Sequence, residues 1–165
     1  MSTTAKSSCT LLIGVGNEFR SDDAIGIHIA RRIREKKLPR IIIAECDPEF
    51  DALIDAWAGM NTVVVVNAVS SGAPPGTIHR IDARRQSMTP DFFPLLNHGL
   101  DVAQAVELAR YLGKLPGAIV IYGIEGDQFT AGSSLSPELQ DTLSEAVQLV
   151  TDELFSLSDD VLEST

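Results

Sequence analysis

The stretch Leu11 to Gly26, LLIGVGNEFRSDDAIG, most constrains what this chain can fold into: an apolar run breaks at glycines, passes two aspartates and enters a helical pattern. Leu11, Leu12 and Ile13 show no polar alternation, as in a strand covered on both faces. Gly14 and Gly16 permit a tight turn without a Cβ penalty. Ser21, Asp22 and Asp23 then precede Ile25, Ile27, Ile29 and Ala30. One of these polar residues is expected to cap the following helix, and another to aim its carboxylate into a cleft above the sheet.

Strands and amphipathic helices continue to alternate along the chain. Ile25, Ile29 and Ile33, with Arg31, Arg32, Arg34 and Lys36 between them, predict a helix from Ala24 to about Lys37, which Pro39 ends. Arg40 to Glu45 reads as a buried strand and Phe50 to Trp57 as a short helix. Thr62 to Val69, with four consecutive valines, is expected at the centre of a parallel sheet, with Asn67 the odd polar residue near its carboxyl end. After the loop Ser70 to Gly76, Thr77 to Asp82 alternates like an edge strand that leaves His79 at the surface.

Ala83 to Asn97 is a long irregular connection of the kind that serves a site. Its Phe92 and Phe93 suit either a contact surface or the core. His98 stands just before a helix from about Leu100 to Leu112, followed by a strand over Ala118 to Tyr122. In the polar loop Gly123 to Ser134, Glu125 and Asp127 read as solvated acids. Ser136, Pro137 and Glu138 open a last helix running to about Leu154, with a frayed tail beyond it. With 165 residues this predicts one domain, residues 1–165, with its core over about 9–156 and flexible ends at 1–8 and 157–165. The expected fold is α/β, a three-layer sandwich whose mostly parallel twisted sheet carries helices on both faces.

A net charge of −10 repels phosphate backbones and anionic lipid, so neither nucleic acid nor a membrane is an expected partner. No apolar run approaches the roughly 18 to 20 residues that cross a bilayer, and MSTTAKSS does not resemble an export signal, so a cytoplasmic location is expected. Cys9 and Cys46 lack CxxC spacing and read as ordinary small residues. GVGNEF departs from the dinucleotide fingerprint at Phe19, where a small residue is required. The chain has no GxSxG elbow, and its adjacent aspartates lack a DTG or DSG context.

In an open parallel sheet, ligands gather outside the carboxyl ends of the strands. Three polar features fall there: the loop Asn17 to Asp23, Asn67 and His98. A carboxylate, an amide oxygen and an imidazole suit a borderline divalent metal such as nickel or zinc. Each also has a plain structural use. Asp22 and Asp23 suit a helix start, His98 a cap satisfied by backbone, and Asn67 a bond to a neighbouring loop.

The segments GVGNEFRSDDAIG, VVVVNAVSSGAPPGTIHR, NHGLDVAQAVELARYLGKLP and VIYGIEG together resemble the hydrogenase maturation peptidases, over about Leu11 to Leu154. The resemblance implies a twisted sheet flanked by helices and an endopeptidase, often monomeric. Such an enzyme trims a C-terminal extension from a nickel-iron hydrogenase large-subunit precursor after nickel insertion. By resemblance, the nickel-recognition positions fall on Asp23, Asn67 and His98, with Asp23 and His98 also the expected catalytic groups, and Asp22 is left to the helix start. The nickel is supplied by the substrate, with zinc or cadmium as surrogates. The family's aspartate at the middle position is Asn67 here, and a neutral amide is a poorer cation ligand than a carboxylate. That departure implies an alternative, a noncatalytic chaperone or docking module for hydrogenase assembly.

Overall fold

The computed structural model describes residues 9–88, 100–132 and 134–163. Five strands, β1 (Thr10–Val15), β2 (Ile41–Cys46), β3 (Thr62–Val69), β4 (Ile78–Asp82) and β5 (Ala118–Glu125), form one sheet in the order β2-β1-β3-β5-β4. All neighbours are parallel except β4, which runs antiparallel to β5. From β1 the chain moves outward to β2, then returns to lay β3 on the other side of β1. The carboxyl ends of β1 and β3 therefore flank a topological switch point, where α/β sheets hold their ligands.

The helices are α1 (Ile25–Glu35), α2 (Phe50–Trp57), α3 (Leu100–Tyr111) and α4 (Pro137–Glu163). Every residue of β3 is buried, and alternation sends its side chains to two separate cores. Val63 and Val65 meet Leu53 and Trp57 of α2 and Val102 and Val106 of α3. Val64, Val66 and Ala68 meet Ile25, Ile29 and Ile33 of α1 and Leu139, Leu143 and Val150 of α4. This is the three-layer sandwich expected from the sequence. Gly26 lets α1 lie on the sheet backbone, because a Cβ there would come within 2.3 Å of the Val66 carbonyl oxygen.

Several boundaries differ from expectation. Helix α1 is entered through a 3-10 turn, Ser21–Ala24, and β5 extends to Glu125 because Gly123, Ile124 and Glu125 keep pairing with Asn67, Ala68 and Val69. Helix α4 continues to Glu163, through much of the tail expected to fray. No Gly or Pro interrupts it, Leu157 extends the stripe packed on the core, and the Ser158 hydroxyl donates to the Leu154 carbonyl at 2.7 Å. Strand β4 is braced on α4 by Arg80, which pairs with Glu153, while the Tyr122 hydroxyl donates to the same carboxylate at 3.0 Å. Burial, with the Glu153 charge beside it, pushes the Tyr122 hydroxyl up to about 12. Among the described residues, no helix is long and apolar enough to cross a membrane.

Candidate active site

The loop after β1 is folded back on itself. Gly16 donates its N–H to the Cys46 carbonyl at 3.0 Å, and a Cβ at Gly16 would stand 1.9 Å from the Asp23 carbonyl oxygen. Only glycine fits beside that backbone. The Asn17 side chain accepts the Phe19 N–H at 2.9 Å, and the Asn17 N–H donates to Oδ2 of Asp23 at 2.9 Å. The Asp23 carboxylate, with its residue only 4% exposed, is thus held by the turn that leaves β1.

Asp22 does not cap its own helix, as a helix-start acid would. Neither the 3-10 turn nor α1 has a side-chain cap hydrogen bond. Instead Asp22, fully buried, accepts the N–H groups of Asp127 at 2.7 Å, Gln128 at 2.9 Å and Ser136 at 2.7 Å. It joins the β1 loop to the β5 loop and to the entry of α4. Burial alone would raise this carboxyl, but the N–H groups of Ser136, Gln128 and Asp127 hold it below the ordinary aspartate value. Ser21 adds to the junction by donating its N–H to Gly132 and its hydroxyl to Thr130. These bonds close the β1 and β5 loops around the end of β3, the strand between them.

Asn67 sits at that end of β3, 3% exposed, on the α2 and α3 side of the sheet, and the 3-10 turn carrying Asp23 packs against β3. Its Oδ1 has no hydrogen-bond donor among the described residues. A buried acceptor without a donor costs about 1–3 kcal/mol, so an oxygen in this position suits an incoming N–H or cation. The fold therefore brings Asp23 and Asn67 to one end of the sheet, on either side of the switch point. His98 lies outside the described residues, as do Phe92 and Phe93. Among the described residues, no group of three or more His, Cys, Asp and Glu side chains is placed to hold a metal.

Glu125 and His79 correct the sequence reading. Glu125 is no solvated loop acid: it ends β5, is 1% exposed, and accepts the Ser71 N–H, the Ser71 hydroxyl and a ring contact from His79 Nε2 at 2.9 Å. Its backbone accepts the Gly76 N–H and donates to the Thr77 carbonyl. The loop from β3 to β4 arches over the end of β5, and Glu125 is the peg it wraps around. His79 is accordingly a half-covered partner of that carboxylate. His79→Ala is expected to lower stability by about 1.5–3 kcal/mol, the worth of one hydrogen bond to a charged group, read by thermal melting.

Beside Asn17 opens a cleft of about 290 Å³ between the ends of β1 and β2, lined by Gly16, Glu18, Phe19, Arg31, Cys46 and Asp47 among others. Arg31 spans it, paired with Glu18 at 3.0 Å and Glu45 at 2.9 Å, and holds the Glu45 carboxyl below its usual range. Burial, with Asp47 nearby, pushes the Cys46 thiol up, so it lines the cleft as a neutral group. The Phe19 ring, 70% exposed, stands on the rim.

This three-layer α/β domain buries an acid and an amide oxygen near its switch point, and comparison with known proteins assigns its class. The profile described as hydrogenase maturation protease (HycI) matches residues 27–153, and the chain belongs to that family of peptidases. The matched span includes Asn67 and His98 and begins after Asp23. The hydrogenase expression/formation protein HupD of Thiocapsa roseopersicina is 24% identical over 152 residues, 87% of this chain and 66% of that protein. The chain thus spans just under two thirds of the length of this relative. Among solved structures, the hydrogenase maturating endopeptidase HybD from E. coli superposes with a TM-score of 0.74 at 21% identity, covering 90% of this chain and 93% of that one. The [NiFe] hydrogenase maturation protease HycI from Thermococcus kodakarensis KOD1 does so with a TM-score of 0.69 at 22% identity, covering 93% and 99%.

Proposed function

We propose that this chain is the endopeptidase that removes the C-terminal extension of a nickel-iron hydrogenase large-subunit precursor once nickel has been inserted. The observation that carries this reading is the buried Oδ1 of Asn67 at the switch point, without a donor among the described residues, across from the turn-held carboxylate of Asp23. Nickel here is part of the substrate, and zinc or cadmium would stand in for it in vitro. Asp23, Asn67 and His98 are the groups that would meet it. A divalent ion close to a scissile carbonyl polarises that carbonyl or acidifies a water. In this reading Asp23, whose carboxylate accepts the Asn17 N–H, would take a proton from the attacking water, and His98 would return one to the leaving amine. The partner in this reading is the large-subunit precursor, met in the cytoplasm by a monomer of this chain.

The test is intact-mass measurement of a nickel-loaded precursor after incubation with the protein. Loss of the C-terminal peptide is the expected result. A stable complex with an uncut precursor would favour the second reading, a docking module, which the neutral amide at position 67 specifically supports. Asn67→Asp restores one negative charge to the ligand set and is expected to tighten cadmium binding by about tenfold, roughly 1.4 kcal/mol, measured by calorimetry. If the same change creates cleavage where the parent shows none, the parent is the docking module.

A further inference from the structure

Strand β2 is an edge of the sheet, and its ladder with β1 decides which backbone groups are committed. The Thr10 N–H donates to the Arg40 carbonyl at 2.9 Å, and the Gly16 N–H to the Cys46 carbonyl at 3.0 Å. With the register Thr10↔Ile41 through Val15↔Cys46, the parallel pattern turns the N–H and C=O groups of Ile42, Ala44 and Cys46 toward β1. Those of Ile41, Ile43 and Glu45 point outward. Among the described residues, these outward groups have no hydrogen-bond partner.

This edge is rigidly backed. Ile41 and Ile43 pack against the core beneath α1 and α4, and Glu45 is clamped by Arg31 at 2.9 Å and Arg34 at 2.8 Å. A preformed backbone row loses little freedom when another strand pairs with it. The row is also short, no described strand pairs with its outer side, and it carries no Pro or Lys to block pairing. It leads directly into the cleft, whose wall continues from Glu45 through Cys46 and Asp47 to Gly16 and Asn17. Asn17 is the residue whose N–H holds Asp23.

We infer that the outer edge of β2 binds an extended segment of the polypeptide substrate by strand addition and delivers one end of it into the cleft beside Asp23. This rests on the proposed peptidase reading. A bond that is to be cut must be presented in extended chain, and an edge strand supplies the backbone hydrogen bonds to hold it so. The occupant is a segment of neutral or basic character, because the three acids Glu18, Glu45 and Asp47 at the mouth outnumber the two arginines paired with them, Arg31 and Arg34, with the Phe19 ring beside them. A second copy of the chain, with a net charge of −10, would bring the same acids against these.

The experiment is residue-resolved amide hydrogen exchange of the isotope-labelled protein, with and without the purified precursor carrying its C-terminal extension. The expected result alternates along the strand: the amides of Ile41, Ile43 and Glu45 slow by about tenfold or more, while those of Ile42, Ala44 and Cys46, already bonded to β1, stay as they were. If the precursor is cut or bound but the outward amides do not slow, the edge proposal is overturned and the peptidase reading stands. If they slow in the protein alone as its concentration rises, the occupant is a second copy and the proposal is again overturned. A precursor neither bound nor cut overturns both. A second variant, Ile43→Pro, removes one outward N–H and no ladder bond, a change edge strands tolerate. The folded variant is expected to raise KM by about tenfold at unchanged kcat, with Ile43→Val at the parental value. A folded Ile43→Pro protein with parental KM would overturn strand addition.

Discussion

Asp23→Asn is expected to slow precursor cleavage by about 100-fold or more, the lower end of what a positioned acid–base group contributes. The asparagine keeps the shape of the aspartate, and its Oδ1 can still accept the Asn17 N–H that holds the side chain now. What it removes is charge. Position 67 already carries an amide, so this substitution leaves no formal negative charge at the two candidate ligand positions the structure describes. A neutral pair has little hold on a divalent ion and cannot accept a proton from water. The melting temperature should stay within about 2 °C of the parent, because an isosteric change that keeps the Asn17 hydrogen bond moves stability little. Parallel mass-spectrometric cleavage rates and thermal melts check both halves. Parental activity in Asp23→Asn would mean that this carboxylate serves only the turn.

The neighbouring acid is expected to behave in the opposite way. Asp22→Ala removes a buried carboxylate that accepts three backbone N–H groups from Asp127, Gln128 and Ser136, leaving those donors without it. The loss should be about 3 kcal/mol or more, given that a hydrogen bond to a charged group is worth about 1.5–3 kcal/mol and that stranded donors add to the cost. For a domain of this size that is a fall in Tm of roughly 6–12 °C. The sign of its pH dependence follows from the carboxyl being held below its ordinary value of 3.8. Its contribution is complete above that value and fades as pH falls through the lower folded-state value. The gap in Tm between parent and Asp22→Ala should therefore be full at neutral pH and narrow in strong acid. A gap that grows as pH falls would contradict the assignment.

The contrast between these two adjacent aspartates shows what the sequence could reveal. β3 was legible because a strand buried on both faces must be continuously apolar, and Thr62 to Val69 has the boundaries expected of it. The placement of Asp23 and Asn67 at the switch point followed from strand ends, which local pattern reveals. Asp22 was not legible, because its donors lie more than 100 positions along the chain, as with Ser136 at a separation of 114. Only the surplus hinted at it: two acids stood where a helix start needs one. Glu125 was missed for a related reason. The sequence showed a charged residue after an apolar run, whereas the fold made it the last residue of β5 and the peg for a loop coming from β3. Nor could RIIIAE announce that β2 would be an edge, since Ile41 to Ala44 reads like a strand covered on both sides until the order β2-β1-β3-β5-β4 is known.

The account depends on Asp23, Asn67 and His98 meeting around one metal-accepting pocket, and a crystal structure of the protein grown with cadmium tests it most directly. The predicted result is a single cadmium ion between the carboxylate of Asp23, the amide oxygen of Asn67 and the imidazole of His98. Well-ordered side chains of these three residues directed into separate regions, with cadmium at none of them, would contradict it.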